Sequence, residues 1–323
     1  MRLRASRVGM GAKVRAGRRT FAPMIQGVCL RAVGIWRALT SATPVLAAFA
    51  LAAVASPASR VLAQAAPAIA ELPEVRDGRY LYFPGLSYAS DADGIRRELD
   101  LYLPAADTAA PVVAWLHGGG LTGGAPHLPD GLRDVGLGVA VVRYRLGAGV
   151  PVREKVEDAA AAVAWLLGGV AGRVDGGAIA VAGHSAGGYL AAMVTVDTGL
   201  LGAHGHHPDE LLASIPLSGH AITHFTERAA RGMPATRAVV DSLAPLYHVR
   251  RVRTPILLIT GDRERELYGR YEENAYFWRM LRLAGSPDVE LFELGGYGHG
   301  MVAPALPLLV DFVRGRLRER AWR

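Results

Sequence analysis

Cysteine is almost missing from this sequence. Its 323 residues include a single cysteine, Cys29. That residue lies within residues 1–63, which we interpret below as a leader, so the remaining chain has no cysteine. Such a chain needs no disulfide in an oxidising compartment and performs no thiol chemistry.

Acidic residues are missing from residues 1–63, which carry ten lysines and arginines. The formal net charge of the whole chain is +7, and residues 64–323 hold 26 basic and 29 acidic side chains. The basic character therefore belongs to the leader and not to the folded body. A nucleic-acid partner would require a basic patch on the domain itself, and the sequence gives no basis for one.

An apolar run long enough for a comfortable membrane span is also lacking. Residues 44–58 are apolar, follow a basic stretch and precede small residues, which is typical of an export signal cleaved after Ala55 or Ala63. We therefore expect residues 1–63 to be a signal peptide and the mature protein to be periplasmic or secreted. Anchoring in the membrane by an uncleaved leader is the alternative, and Met24 offers an alternative start.

Residues 64–323 are predicted to form one domain. Apolar runs that resemble strands alternate with helical segments, a pattern typical of a mostly parallel sheet covered by helices on both faces. The predicted strands are 96–104, 111–117, 138–144, 178–182, 213–217, 255–260 and 289–294, and the predicted helices are 152–171, 188–196, 265–284 and 303–320. Residues 202–248 interrupt this alternation. We interpret them as an insertion, either a cap on the substrate side or a plain surface excursion.

The sequence Gly-His-Ser-Ala-Gly, residues 183–187, stands between a predicted strand and a predicted helix. A strand that turns sharply into a helix needs glycines beside the turn residue, because a β-carbon there would collide with backbone. The side chain of Ser185 is then exposed at the strand end, where a serine can act as a nucleophile. The alternative is a glycine-rich turn whose serine only caps the helix.

A second glycine motif, His-Gly-Gly-Gly at residues 117–120, directly follows a predicted strand. Consecutive glycines let backbone N–H groups face a cavity without side-chain obstruction. The amides of Gly119, Gly120 and Ala186 are therefore predicted to form an oxyanion hole. A flexible loop without a role is the alternative.

These motifs, together with Tyr-Arg-Leu at 144–146 and the segment from Pro-Ile-Leu-Leu-Ile-Thr-Gly-Asp-Arg-Glu to Gly-His-Gly, resemble the α/β-hydrolase superfamily. The chain is most similar to its esterase branch, related to hormone-sensitive lipase and to feruloyl-esterase-like carboxylesterases. The resemblance implies an α/β-hydrolase fold with a mostly parallel sheet of about eight strands. It also implies a small ester substrate and neither cofactor nor metal.

In this superfamily the triad follows the chain order serine, acid, histidine. The resemblance implies that His299, after the last predicted strand, is the base. The acid is predicted to be Glu264, because related esterases carry it about four residues past the preceding strand, and Asp262 is the rival. Either carboxylate can accept the imidazole N–H.

The other histidines have weaker expectations. His117 is implied by the resemblance to brace its loop, while His220, His224 and His248 are candidates to line the substrate pocket. The cluster His204, His206 and His207 has metal-ligand chemistry, but a solvated loop is the favoured interpretation.

The sequence thus predicts a carboxylesterase-type serine hydrolase that works through an acyl-enzyme. An amidase, an arylformamidase-like enzyme or a peptidase is the alternative within hydrolases. A non-catalytic binding protein on a hydrolase scaffold is the alternative outside them. The sequence does not specify the acyl or alcohol group or the oligomeric state.

Overall fold

The structure is a computed structural model that describes residues 75–77, 79–90, 96–106, 108–170, 172–267 and 269–322. The predicted signal peptide lies outside these residues. Within them, no helix has the length and apolar character needed to cross a membrane.

A single twisted sheet forms the centre of the described chain. Its nine strands are β1 Val75–Asp77, β2 Tyr80–Ser90, β3 Arg96–Pro104, β4 Ala110–Leu116, β5 Gly138–Val142, β6 Val174–His184, β7 Ala213–Leu217, β8 Ile256–Gly261 and β9 Val289–Leu294. The strand order is β1-β2-β3-β5-β4-β6-β7-β8-β9. The pairs from β1 to β5 along this order are antiparallel, and every later pair is parallel. The mostly parallel α/β sheet predicted from the sequence is confirmed.

Helices cover both faces of the sheet. They are α1 Val152–Leu167, α2 Ala186–Val196, α3 Thr198–Gly202, α4 Phe225–Ala230, α5 Arg270–Leu283 and α6 Val302–Ala321. Strand β4 shows how its apolar residues serve two cores: Val112 and Ala114 join the core of α1 and α2, whereas Val113 and Trp115 join that of α6. Alternate residues of a strand point to opposite faces, so a strand buried on both sides is apolar throughout.

The predicted insertion needs new boundaries. Residues 202–248 include β7, which lies in the sheet between β6 and β8. The part that leaves the sheet is therefore 218–255, which contains α4 and the 3₁₀ turn Pro245–His248. The strand predicted at 213–217 is present as β7, so the predicted insertion extended across a strand of the sheet.

Because β4 and β6 to β9 run parallel, their carboxyl ends meet at one edge of the sheet. Ligand sites in open α/β sheets form beyond this edge. The loops after these strands carry both glycine motifs, the candidate acids and His299.

Candidate active site

Ser185 occupies the turn between β6 and α2 with φ of 57° and ψ of −113°. A non-glycine residue at such a φ is strained, and strain of this kind concentrates at functional sites. The turn is tight, since a β-carbon on Gly183 or Gly187 would lie 2.5 or 1.9 Å from the carbonyl oxygen of Leu116. The Ser185 amide donates to the Leu217 carbonyl at 2.8 Å, which fixes the turn against β7.

His299 lies in the loop between β9 and α6 and faces Ser185. The distance between its Nε2 and the Ser185 Oγ is 2.8 Å, within hydrogen-bond reach of a nucleophile and its base. His184 holds the loop from the other side, because its Nε2–H donates to the His299 carbonyl at 2.8 Å. Burial and the neighbouring His299 lower the pKa of His184 to about 4, so His184 is neutral near pH 7.

The carboxylate that meets His299 is Glu266. Its Oε1 lies 2.6 Å from the His299 Nδ1 and also accepts the Leu267 amide at 2.8 Å. The side chain of Glu266 is only 1% exposed. Burial alone raises its pKa, but the hydrogen bonds from His299, Ser218 and Leu267 outweigh burial and hold the pKa at about 2. Glu266 is therefore ionised near neutral pH.

Neither predicted acid reaches His299, and the assignment is corrected to Glu266. Glu264 is exposed to solvent. Asp262 accepts the amides of Glu264 at 2.9 Å and Gly296 at 2.7 Å, so it caps the loop. The predicted helix 265–284 had placed Glu266 inside a helix. The helix begins instead at Arg270, and the longer loop before it carries Glu266 inwards.

The loop after β4 lies directly against the serine. A β-carbon on Gly118 would be 3.5 Å from the Ser185 β-carbon. Gly119 and Gly120 have φ of 120° and 64°, and a β-carbon on Gly119 would lie 2.2 Å from the Gly123 carbonyl oxygen. Glycine is therefore required by both backbone conformation and space.

The predicted oxyanion amides belong to Gly119, Gly120 and Ala186. Among the described residues, none of these three amides donates a hydrogen bond to a backbone carbonyl in the turns, loops and helix caps. Ala186 is also the first residue of α2, where the unpaired amides of a helix N-terminus favour negative charge.

His117 is fully buried and stacks on Tyr144, with 4.5 Å between ring centroids. The Tyr144 hydroxyl donates to the His117 carbonyl at 2.7 Å. These contacts tie the start of the glycine loop to the end of β5, which is the bracing position implied by the resemblance.

The excursion 218–255 closes one side of the site. The Thr226 hydroxyl donates to the Gly120 carbonyl at 2.5 Å, and the Phe225 ring lies beside Gly120. His220 and His224 are buried beneath Phe225 instead of lining an open pocket. His248 contacts the Ser242 carbonyl at 2.9 Å.

The histidine cluster after α3 has structural contacts. His206 pairs with Glu210 at 2.9 Å, and the His207 Nδ1 accepts the Asp209 amide at 3.2 Å. Among the residues with described positions, no three His, Cys, Asp or Glu side chains are arranged to hold a metal ion.

Sequence reasoning missed Ser218 as well as Glu266. Ser218 follows β7 and is completely buried, and its hydroxyl donates to the Glu266 Oε2. The positive φ of this non-glycine residue, 49°, is a signal that only the folded chain reveals.

Solved structures that are similar to this chain include esterases. A truncated carbohydrate esterase from gut microbiota covers 76% of this chain and 99% of its own, with 18% identity and a TM-score of 0.62. Esterase 2 from Thermogutta terrifontis covers 71% and 91%, with 24% identity and a TM-score of 0.57. This chain has the α/β-hydrolase fold.

Sequence comparison finds esterases that are similar to part of this chain. The BD-FAE family model matches residues 99–209. From Mycobacterium tuberculosis, the carboxylic ester hydrolase LipN is 38% identical over 105 residues and the esterase LipI is 44% identical over 92 residues. These alignments cover 29% and 26% of this chain. The chain matches about a quarter of each relative's length, 27% and 28%.

Proposed function

We propose that this α/β-hydrolase is a carboxylesterase-type serine hydrolase. The observation that carries the proposal is that His299 contacts both Ser185 and Glu266. Its Nε2 lies 2.8 Å from the Ser185 Oγ, and its Nδ1 lies 2.6 Å from the Glu266 Oε1. A serine hydroxyl is a poor nucleophile near neutral pH and needs a base to accept its proton. The ionised Glu266 orients that base and stabilises the imidazolium that forms.

In the proposed reaction, Ser185 Oγ attacks the ester carbonyl carbon while its proton passes to the His299 Nε2. The amides of Gly119, Gly120 and Ala186 stabilise the negative oxygen. The bond to the alcohol oxygen then breaks, and His299 protonates this leaving group. Water attacks the acyl-serine by the same route, releasing the carboxylic acid and returning the proton to Ser185.

The relatives support ester substrates. LipN and LipI are named as ester hydrolases, and the Thermogutta esterase has been solved with propionate or butyrate bound. The same esterase has been solved phosphonylated by sarin. We infer that short-chain acyl esters are suitable first substrates for this chain and that organophosphonates are suitable probes.

An ester–amide pair tests the proposal against the amidase and peptidase alternatives. The protein is assayed with p-nitrophenyl butyrate and with p-nitrobutyranilide, which share the butyryl group and release the coloured products p-nitrophenol and p-nitroaniline, respectively. We expect turnover of the ester, little of the anilide, and none by Ser185→Ala. Ser242→Ala, which alters an exposed serine, is the matched control and should match wild type. Faster turnover of the anilide would contradict the esterase assignment.

We also propose that the protein is exported, on the sequence of residues 1–63 alone. The N-terminal sequence of protein recovered from the periplasm or medium tests this. A start after Ala55 or Ala63 supports export, whereas an intact leader in the membrane fraction supports the anchored alternative.

A further inference from the structure

The hydroxyl of Ser218 has no part in the reaction proposed above, although it lies inside the site. Ser218 follows the last residue of β7 and is completely buried. Its φ of 49° is unfavourable for a residue with a β-carbon, so the surroundings must hold it there.

The hydroxyl completes the surroundings of the acid. It donates to the Glu266 Oε2 at 2.5 Å, on the oxygen opposite the one that contacts His299. The same hydroxyl oxygen lies 3.3 Å from the His299 Nδ1. The Gly261 amide, at 3.2 Å from Oε2, is a longer contact. The hydrogen bond from the Ser218 hydroxyl is therefore the shorter of these two contacts to the Glu266 Oε2.

Helix α5 holds the backbone of Ser218 in place. The Arg270 Nη1 donates to the Ser218 carbonyl at 2.8 Å, and Asn274 donates to the Gly219 carbonyl at 2.8 Å. The Glu273 carboxylate accepts the Ala221 amide at 3.0 Å. Three polar residues on one face of α5 thus hold the segment 218–221.

We propose that Ser218 is a positioning residue for the acid of the triad, an inference that rests on the proposed function. Its hydroxyl fixes the Glu266 carboxylate so that Oε1 faces the His299 Nδ1 through both steps of the reaction. A carboxylate held on both oxygens cannot rotate away when the imidazole charges. Hydrogen bonds to ionised groups are the stronger ones, which suits this task.

Two substitutions separate the hydroxyl from backbone strain. Ser218→Ala and Ser218→Gly both remove the hydroxyl, but glycine accepts the positive φ and alanine does not. We expect both variants to lose about tenfold or more in kcat with KM nearly unchanged. The glycine variant should melt at a higher temperature than the alanine variant. Activity that is low in both, regardless of melting temperature, indicates a role for the hydroxyl.

Ser214→Ala is the matched control. Ser214 is a completely buried serine in β7, the strand that precedes Ser218, and its hydroxyl partner Thr195 retains a bond to the Ala191 carbonyl. It should keep wild-type kcat. The inference is overturned if Ser218→Gly keeps wild-type kcat, or if kcat in the three variants follows their melting temperatures. If wild type itself neither hydrolyses the ester nor labels with a phosphonate at Ser185, the proposed function fails instead.

Discussion

Two histidine–glutamate pairs lie close together in this protein, and they differ in what the second ring nitrogen meets. In the pair His299–Glu266 the Nδ1 lies 2.6 Å from the carboxylate, and in the pair His220–Glu273 it lies 2.9 Å away. The Nε2 of His299 faces the Ser185 hydroxyl at 2.8 Å. The Nε2 of His220 instead contacts the Arg270 Nη2 at 3.0 Å.

That difference determines what each histidine can do. Arginine has only donors, so the His220 Nε2 must accept and is occupied. His220 is 4% exposed, while the His299 side chain is 24% exposed. The pair His299–Glu266 can accept a proton from Ser185. The pair His220–Glu273 instead connects α5 to the segment after β7. What contacts the Nε2 atom, and not the histidine–glutamate pair itself, distinguishes the histidine that can act as a base from the one that has a structural role.

The largest expected effect comes from removing each histidine in turn. His299→Ala should lower kcat by roughly 10⁴- to 10⁶-fold, because no other base among the described residues contacts the Ser185 hydroxyl. His220→Ala should lower kcat by less than about tenfold but reduce the melting temperature clearly, because it leaves the buried Arg270 and the partly buried Glu273 without their shared partner. Esterase kinetics and thermal unfolding of both variants measure the contrast. Equal loss of kcat in the two would remove the distinction.

The carboxylates should show a smaller but equally selective effect. Glu266→Gln is expected to lower kcat by about 10³- to 10⁴-fold, because the amide cannot stabilise the imidazolium. Glu264→Gln should stay within about twofold of wild type, since that side chain is exposed. Asp262→Asn should mainly lower the melting temperature by weakening the loop cap. A collapse of kcat in Glu264→Gln alone would restore the acid predicted from the sequence.

The smallest effect concerns pH. Burial is the main reason that the pKa of His220 lies below its ordinary value of 6.5, and the hydrogen bond that His220 donates to Glu273 opposes this shift. The unfolded chain then binds more protons below about pH 6.5, so stability falls as the pH drops through that value. His220→Asn should show a shallower decline of the free energy of unfolding between pH 7 and 5. A decline in His220→Asn as steep as that of the wild type would contradict this expectation.

Ser185 and the glycine loops could be predicted from the residues because their requirements are local, whereas His299 was implied by the resemblance to α/β-hydrolases. The strand, the sharp turn and the helix around Ser185 are formed by consecutive residues. Glycine is required at 183 and 187, because a β-carbon there would lie 2.5 or 1.9 Å from the Leu116 carbonyl oxygen. The alternation of strands and helices likewise follows from apolar runs whose lengths indicate their type. The mostly parallel sheet and its helical cover are confirmed for these reasons.

The acid depends on where a helix starts, and that was not visible in the sequence. Asp262, Glu264 and Glu266 all follow β8, and only the path of the loop before Arg270 decides which one turns inwards. A left-handed Gly269, with φ of 66°, stands immediately before the helix. Ser218 was invisible for a related reason, since its partners come from β8, α5 and the His299 loop.

The most direct test of the account is covalent labelling of the nucleophile. The protein is treated with a fluorophosphonate, and its intact mass and proteolytic peptides are measured. We predict one adduct per chain, on Ser185, lost in Ser185→Ala and formed far more slowly in His299→Ala. An unmodified wild-type protein, or an adduct on another residue, would contradict the assignment of Ser185 as an activated nucleophile.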